Sequence, residues 1–234
     1  MGARVDSYRV ALREVKDLET YLAARSGLPG PRGNLELAAA AAEELDHATL
    51  ERLARSEDEF EAFCGVVGLG RAVADGRRDL LLELRRDAND PRWRVREAVA
   101  MALQRWGDTD LTAMIDAATA WAAGTRLEQR AAAAGTCEPR LLRDASAVRR
   151  VLLLLDAITA TLPGAPDRRT DAFRTLRQAM GYCWSVAIAA DPVDGLPAFA
   201  RWRGSTDPDV AWVVRENLRK ARLQRVLVGV RSPG

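Results

Sequence analysis

The stretch Asp90-Pro-Arg-Trp-Arg-Val-Arg-Glu97 returns later in the chain as Asp209-Val-Ala-Trp-Val-Val-Arg-Glu216. Both copies read Asp, four residues and then Val-Arg-Glu, with a tryptophan at the same place. After the first copy, apolar residues recur as Val95, Val99 and Leu103, which is the spacing of one face of an α-helix. Each copy is therefore expected to open an amphipathic helix whose apolar face is buried by neighbouring helices.

Two looser copies of this segment lie between the two good ones, around residues 127–134 and 176–180. With the arginine as the marker, the four copies fall at Arg96, Arg130, Arg177 and Arg215, with spacings of 34, 47 and 38 residues. Internal similarity at such a period is typical of stacked helix pairs. A further helix is predicted before each marker helix, over about 77–88, 108–123, 145–161 and 192–203.

These features resemble the HEAT-repeat family, whose units pair two helices around an Asp-x4-Val-Arg signature at the second helix. The resemblance implies an all-α fold, an α-solenoid that winds antiparallel helix pairs into a superhelix. It divides the chain into an N-terminal helical cap or divergent repeats (1–76), four HEAT-like repeats (77–225) and a C-terminal tail (226–234). It also implies that the arginine after the valine is structural and pairs with an aspartate of an adjacent repeat.

The amino-acid composition favours a helical protein that does not span a membrane. The 234 residues include 42 alanines but only 3 tyrosines and 4 phenylalanines, which favours helices over an all-β sandwich or barrel. The longest aliphatic run, 151–155, is far too short to span a bilayer, and the N-terminus does not resemble a signal peptide. Cys64, Cys137 and Cys183 are scattered, which fits neither a disulfide framework nor a zinc site. We therefore expect a cytoplasmic protein with reduced cysteines and no membrane contact.

The sequence contains few residue patterns that are typical of catalytic sites. His47 is the only histidine, and the sequence contains no nucleophile elbow, no phosphate-binding loop and no dinucleotide-binding fingerprint. The sequence therefore favours a non-enzymatic protein without catalytic residues, cofactor or bound metal.

The second helices line the concave surface of such a solenoid, and two of them carry arginines beside a tryptophan. The candidate binding residues for a partner or for nucleic acid are Arg92, Trp93, Arg96, Trp212, Arg215, Arg219 and Arg222. These side chains could contact phosphates and stack on bases. Alternatively, the tryptophans fill gaps between repeats while the arginines pair with carboxylates. The net charge of +2 does not decide between the two, although residues 121–234 hold 18 basic and 11 acidic side chains.

The segment from Asp209 to Arg225 is also similar in helical style to HEAT-like alkylpurine DNA glycosylases. That resemblance implies a basic concave surface with tryptophans and a catalytic aspartate beside one of them. Asp116 lies five residues from Trp121, a poor spacing for one helix face, and Asp156 has no tryptophan near it in the sequence. The catalytic role is therefore not carried over to this chain.

The sequence thus predicts a non-catalytic HEAT-repeat scaffold that binds another macromolecule, a protein, through its curved helical surface. The alternative is a DNA- or RNA-binding solenoid, including a degenerate relative of the glycosylases. Neither alternative requires a small-molecule cofactor.

Overall fold

The computed structural model describes residues 2–231, and its regular structure is helical throughout that range. The first seven helices are α1 (Ala3–Glu14), α2 (Leu18–Arg25), α3 (Leu35–Glu44), α4 (His47–Ala54), α5 (Glu59–Ala74), α6 (Leu81–Asp87, after a short 3-10 turn) and α7 (Trp93–Gly107). The next seven are α8 (Leu111–Trp121), α9 (Arg126–Thr136), α10 (Ala145–Thr159), α11 (Asp171–Ala190), α12 (Pro192–Arg203), α13 (Pro208–Leu218) and α14 (Ala221–Arg231). The predicted all-α class is confirmed.

Two compact units divide the chain, Met1–Thr109 with α1 to α7 and Asp110–Gly234 with α8 to α14. The predicted boundaries after residues 76 and 225 stay predictions. The predicted tail, 226–234, begins inside α14, and residues 232–234 lie outside the described part of the chain.

Short polar side chains set the amino ends of most helices. The residues that accept a backbone N–H bond at a helix start are Asp17, Asn34, Asp46, Asp58, Asp110, Thr125, Asp144, Thr170, Asp191 and Asp207. Each of these caps satisfies a donor that the first helical turn leaves without a partner. These caps therefore fix the starts of the helices that follow them.

Unit 1 is organised around α5, which packs against α3, α4 and α7. Two glycines of α5 lie where this helix contacts α4 and α7. A Cβ on Gly65 would overlap the backbone of Ala54 in α4, and one on Gly70 would overlap the backbone of Ala102 in α7. The helix backbones therefore touch at these crossings, and only glycine fits there. The stripe predicted for α7 is confirmed, because Val95, Val99 and Leu103 are all fully buried.

Unit 2 is organised around α11, the longest helix, which packs against α9 and α13 on the one hand and α10 and α12 on the other. The first helix of each predicted pair contacts the next, so α8, α10 and α12 follow one another, as do the second helices α9, α11 and α13. The helices predicted over about 145–161 and 192–203 are confirmed as α10 and α12.

A buried asparagine joins two of these second helices. Asn217 of α13 is fully buried, and its amide accepts a bond of 2.8 Å from the backbone N–H of Ser185 in α11. The same amide donates to the carbonyl oxygens of Met180 at 2.7 Å and Val213 at 2.8 Å. All three bonds run to backbone groups, so the side chain fixes α13 against α11 at one position.

Near the end of α6, one carboxylate is buried with an oxygen unpaired. Oδ1 of Asp87 accepts from Arg86, whereas Oδ2 is buried and has no hydrogen-bond partner within residues 2–231. Burial raises the pKa of Asp87 to about 6, and the neighbouring Arg86 offsets part of that effect. The ionised carboxylate therefore opposes folding of unit 1.

Substitution of a buried leucine tests the packing of α7. Leu103→Ala should lower the free energy of unfolding by about 2–5 kcal/mol, because the cavity cannot fully collapse. Leu82→Ala is the control, since that side chain is 78% exposed, and it should change the free energy by no more than about 0.5 kcal/mol. Urea titrations measure both, and equal losses would show that the buried stripe of α7 is misplaced.

The buried carboxylate gives a stability that depends on pH. The cost of ionising Asp87 is absent below the pKa of about 3.8 in the unfolded chain, grows as the pH rises, and is complete above its folded pKa of about 6. Asp87→Asn should therefore stabilise the protein by up to about 3 kcal/mol near neutral pH and by little near pH 4.

A neighbouring aspartate provides the control of opposite sign. The hydrogen bond and charge of Arg77 lower the pKa of Asp79, so its ionised form favours the folded state and Asp79→Asn should destabilise the protein at neutral pH. Urea titrations near pH 4 and near pH 7.5 measure both variants. A gain for Asp87→Asn that is the same at both pH values would contradict the assignment to ionisation.

Candidate partner-binding surfaces

In unit 1, the predicted arginines at the start of α7 hold the backbone rather than project into solvent. The Arg92 guanidinium binds the Asp90 carboxylate at 2.8 and 3.0 Å and donates to the carbonyl of Ser56 at 2.8 Å. Arg96 donates to the carbonyls of Asp90 and Pro91 at 2.6 and 2.8 Å. Although burial acts to raise it, these bonds from Arg92 keep the pKa of Asp90 below its usual value. Both arginines therefore have a structural role.

Trp93 is the exposed member of this group. Its side chain is 48% exposed, and the guanidinium of Arg94 lies 4.5 Å from its ring centroid. Arg94 is held in turn by Glu59 at 2.8 Å and by the carbonyl of Gly30 at 2.9 Å. About half of the Trp93 side chain therefore faces solvent, so at most its covered half can fill a gap between repeats.

In unit 2, the other predicted tryptophan lies against α11, the second helix of the preceding pair. Trp212 of α13 packs on Gly181, where a Cβ would come within 2.8 Å of the ring, and Arg177 lies 4.7 Å from a ring centroid of Trp212. Arg177 also binds Asp209 at 2.6 Å, and Arg168 binds the same carboxylate at 3.2 Å. Arg177 thus makes the interhelical pair that the HEAT resemblance implies for the arginine of this segment.

The remaining predicted arginines lie towards solvent. Arg215 is exposed, and its side chain forms no hydrogen bond or ion pair within residues 2–231. Arg219 is exposed and binds Glu216 at 2.9 Å, one turn away on α13. Arg222 of α14 donates to the hydroxyl of Tyr182 at 2.9 Å and lies 4.8 Å from its ring centroid. The structure thus brings Arg215, Arg219 and Arg222 to adjoining helices, whereas Trp212 is largely covered.

Sequence patterns did not point to an apolar groove on the first helices of unit 2, here called the Leu153 groove. Leu153 of α10 is 70% exposed and stands between two depressions. The depression between α10 and α12, about 290 Å³, is lined by Arg149, Leu152, Leu153, Asp156, Asp194, Ala198 and Arg201. The depression between α8 and α10, about 520 Å³, is lined by Asp116, Thr119, Ala122, Ala123, Arg150, Leu153, Leu154, Ala157 and Thr161.

The charges along the Leu153 groove neutralise one another across neighbouring helices. Arg150 binds Asp116 at 2.5 Å, and Arg149 lies 3.6 Å from Asp194. Arg201 binds Asp156 at 2.7 Å. Three arginines thus face three aspartates, so the groove is an apolar surface with a rim of zero net charge.

Asp156 has no tryptophan near it in the sequence, but the fold places Trp202 beside it. The indole N–H of Trp202 donates to Asp156 at 2.9 Å, although the two residues lie on different helices. Arg201 holds the other carboxylate oxygen and lies 4.9 Å from the Trp202 ring centroid. Because both oxygens already accept bonds from the protein, this contact fixes α12 to α10 and does not present a free carboxylate to a substrate.

The aliphatic run 151–155 gives no direct sign of the groove, because its length only excludes a membrane span. Four of its five residues are buried, and Leu153 alone points away from them. The available signal was its place on the helix, since Arg149 and Asp156 share the face of Leu153 at spacings of four and three residues. A single exposed apolar residue is common, and Leu153 becomes informative because further apolar side chains adjoin it in both depressions.

The histidine and the cysteines do not form a reactive cluster. His47 lies 3.0 Å from Asp75, and residues 2–231 hold no group of three or more side chains suited to bind a metal. The three cysteines are buried and unbridged, and burial raises the pKa of the Cys64 and Cys137 thiols. Cys137 has Cys183 as a hydrogen-bonding neighbour in the core of unit 2. The two thiols are thus part of the packing.

Within residues 2–231, none of the helices is both long and apolar enough to cross a membrane. No family model, no curated protein and no solved structure matches the chain. The HEAT resemblance therefore stays a prediction that depends on the two Asp-x4-Val-Arg segments themselves.

Proposed function

We propose that this chain is a non-catalytic, HEAT-like protein whose stacked helix pairs bind another protein. The solenoid part of the proposal is supported by the order of helix contacts in unit 2, where first helices follow first helices and second helices follow second helices. The binding part depends on one observation, the Leu153 groove, since a solenoid offers extended surfaces rather than enclosed pockets.

The groove suits a protein side-chain surface better than a polyanion. Its three arginines are each matched by an aspartate, so a phosphate backbone would have to break these pairs. Covering Leu153, by contrast, removes apolar surface from water at about 25 cal/mol per Å². We therefore propose a partner whose contact surface is apolar at the centre and carries few charges.

The spacing of the two depressions specifies the shape of that partner. They lie on opposite sides of α10, and neighbouring packed helices are about 8–10 Å apart. Residues i and i+7 of an α-helix are about 10 Å apart along its axis, so two such side chains would enter one depression each. The proposed partner segment is an amphipathic helix that lies across α10 with Leu153 between its two anchoring residues.

The experiment introduces a charge at the centre of the groove. A phage-displayed library of helical peptides is selected on the immobilised chain, and the binding of the selected peptides is measured by fluorescence anisotropy. We expect apolar residues at i and i+7 and a loss of at least about 30-fold in affinity for Leu153→Asp, because a carboxylate would be buried without a partner.

Leu82→Asp is the matched control, since it places the same charge at another exposed leucine, in unit 1. It should leave the affinity unchanged. The proposal is overturned if the selected peptides bind Leu153→Asp and the parent chain equally well, provided that the circular dichroism of the variant shows a folded protein.

A further inference from the structure

We propose that α11, α13 and α14 of unit 2 form a second binding surface, which takes the phosphodiester backbone of single-stranded nucleic acid. The residues that carry it are Arg215, Arg219, Arg222, Arg225 and Tyr182, named here the basic surface. These helices are not those that line the Leu153 groove, so this inference does not depend on the proposed protein partner.

The charge of the basic surface is not neutralised by the protein. Residues 210–231 hold six basic side chains and one acidic one, Glu216. Arg219 binds Glu216, whereas the exposed Arg215 and Arg225 have no ion-pair partner within residues 2–231. The nearby carboxylate of Asp209 is already held by Arg168 and Arg177. The surface therefore keeps an uncompensated positive charge, unlike the rim of the Leu153 groove.

Helical spacing places these cations in rows. Arg215 lies on α13, and Arg219, four residues later, directly follows the last residue of that helix. Arg222 and Arg225 are three residues apart on α14. Side chains at these spacings are neighbours on one helix face, with about 5–6 Å between Cβ atoms. A row of long, mobile guanidinium groups fits the repeating charge of a phosphodiester chain, because each group neutralises one phosphate and displaces its counterion.

Tyr182 distinguishes a single strand from other polyanions. It lies on α11 with 39% of its surface exposed, and its hydroxyl accepts a bond from Arg222, the first arginine of the α14 row. Arg222 also lies over the ring, so the aromatic side chain is held in place next to the cations. An exposed ring beside a basic row is the arrangement on which unpaired bases stack, whereas the bases of a duplex are not accessible to it.

The first measurement is the affinity of the full chain for a labelled oligothymidylate of about 20 nucleotides, by fluorescence anisotropy in a salt series. Binding should weaken with salt by about 0.7 logarithmic units per unit of log salt for each phosphate contact. The triple variant Arg215→Gln, Arg219→Gln, Arg225→Gln should therefore lower the salt slope by about 2. The control triple variant Arg143→Gln, Arg169→Gln, Arg203→Gln removes the same charge from exposed arginines elsewhere in unit 2 and should change the slope much less.

The second measurement tests the stacking ring. Tyr182→Leu should weaken binding of the oligothymidylate by about 5- to 150-fold, the range for loss of one stacked base. Tyr182→Phe keeps the ring and should bind nearly as well as the parent chain. A duplex and a glutamate-rich peptide serve as the competing probes.

Three results would overturn the proposal. The first is an absence of binding to the single strand at low salt, where a basic surface has its greatest attraction for phosphates. The second is tighter binding of the duplex or of the acidic peptide with no effect of Tyr182→Leu, which would assign the surface to that other partner. The third is an equal loss of salt slope in the two triple variants, which would show that only net charge matters.

Discussion

The direct contact of helix backbones at small residues is the constraint on which this structure depends. In unit 1, Gly65 and Gly70 let α5 touch α4 and α7 without a side chain between them. In unit 2, a Cβ on Gly195 of α12 would come within 2.8 Å of the backbone of Ile188 in α11, and α9 has a buried run of small residues. Close contact shortens the distance that a polar side chain must cover to reach a neighbouring backbone. The abundance of alanine in the sequence is thus a packing requirement as well as a helix-forming tendency.

The arginines divide into two groups, according to whether an unoccupied carboxylate lies close enough to form an ion pair. Arg92 and Arg177 lie next to carboxylates on their own or adjacent helices, so their charge is used to hold segments together. Arg215 and Arg225 lie where the neighbouring acidic residues are already occupied or absent. Arginine therefore forms structural ion pairs at some positions and is an exposed, unpaired cation at others. Net charge alone could not have separated the two groups.

The sequence predicted helices well because the signals for them are local. α10 begins after the capping residue Asp144, and α12 begins at a proline after the capping residue Asp191. Both signals are visible in the sequence next to the helix that they start. The surfaces of the folded protein are harder to predict from the sequence, because each is formed by residues that are distant in the chain. The contact of Trp202 with Asp156 joins two helices, and no spacing rule predicts it. The exposure of Leu153 depends on which face of α10 its neighbours cover, which is decided only when α8 and α12 are in place.

The buried amide of Asn217 has a consequence for the register of the helices. Its three bonds reach backbone groups of α11 and α13 that lie at fixed positions. If α13 slid along α11 by one residue, the amide would meet carbonyl groups where it needs a donor and would leave Ser185 without its acceptor. Aliphatic contacts also favour one packed alignment, but they lack this requirement for a donor or an acceptor at a fixed position. Asn217 therefore makes the alignment of α13 with α11 discrete, so that substitutions elsewhere on these helices can alter their surfaces without altering their alignment.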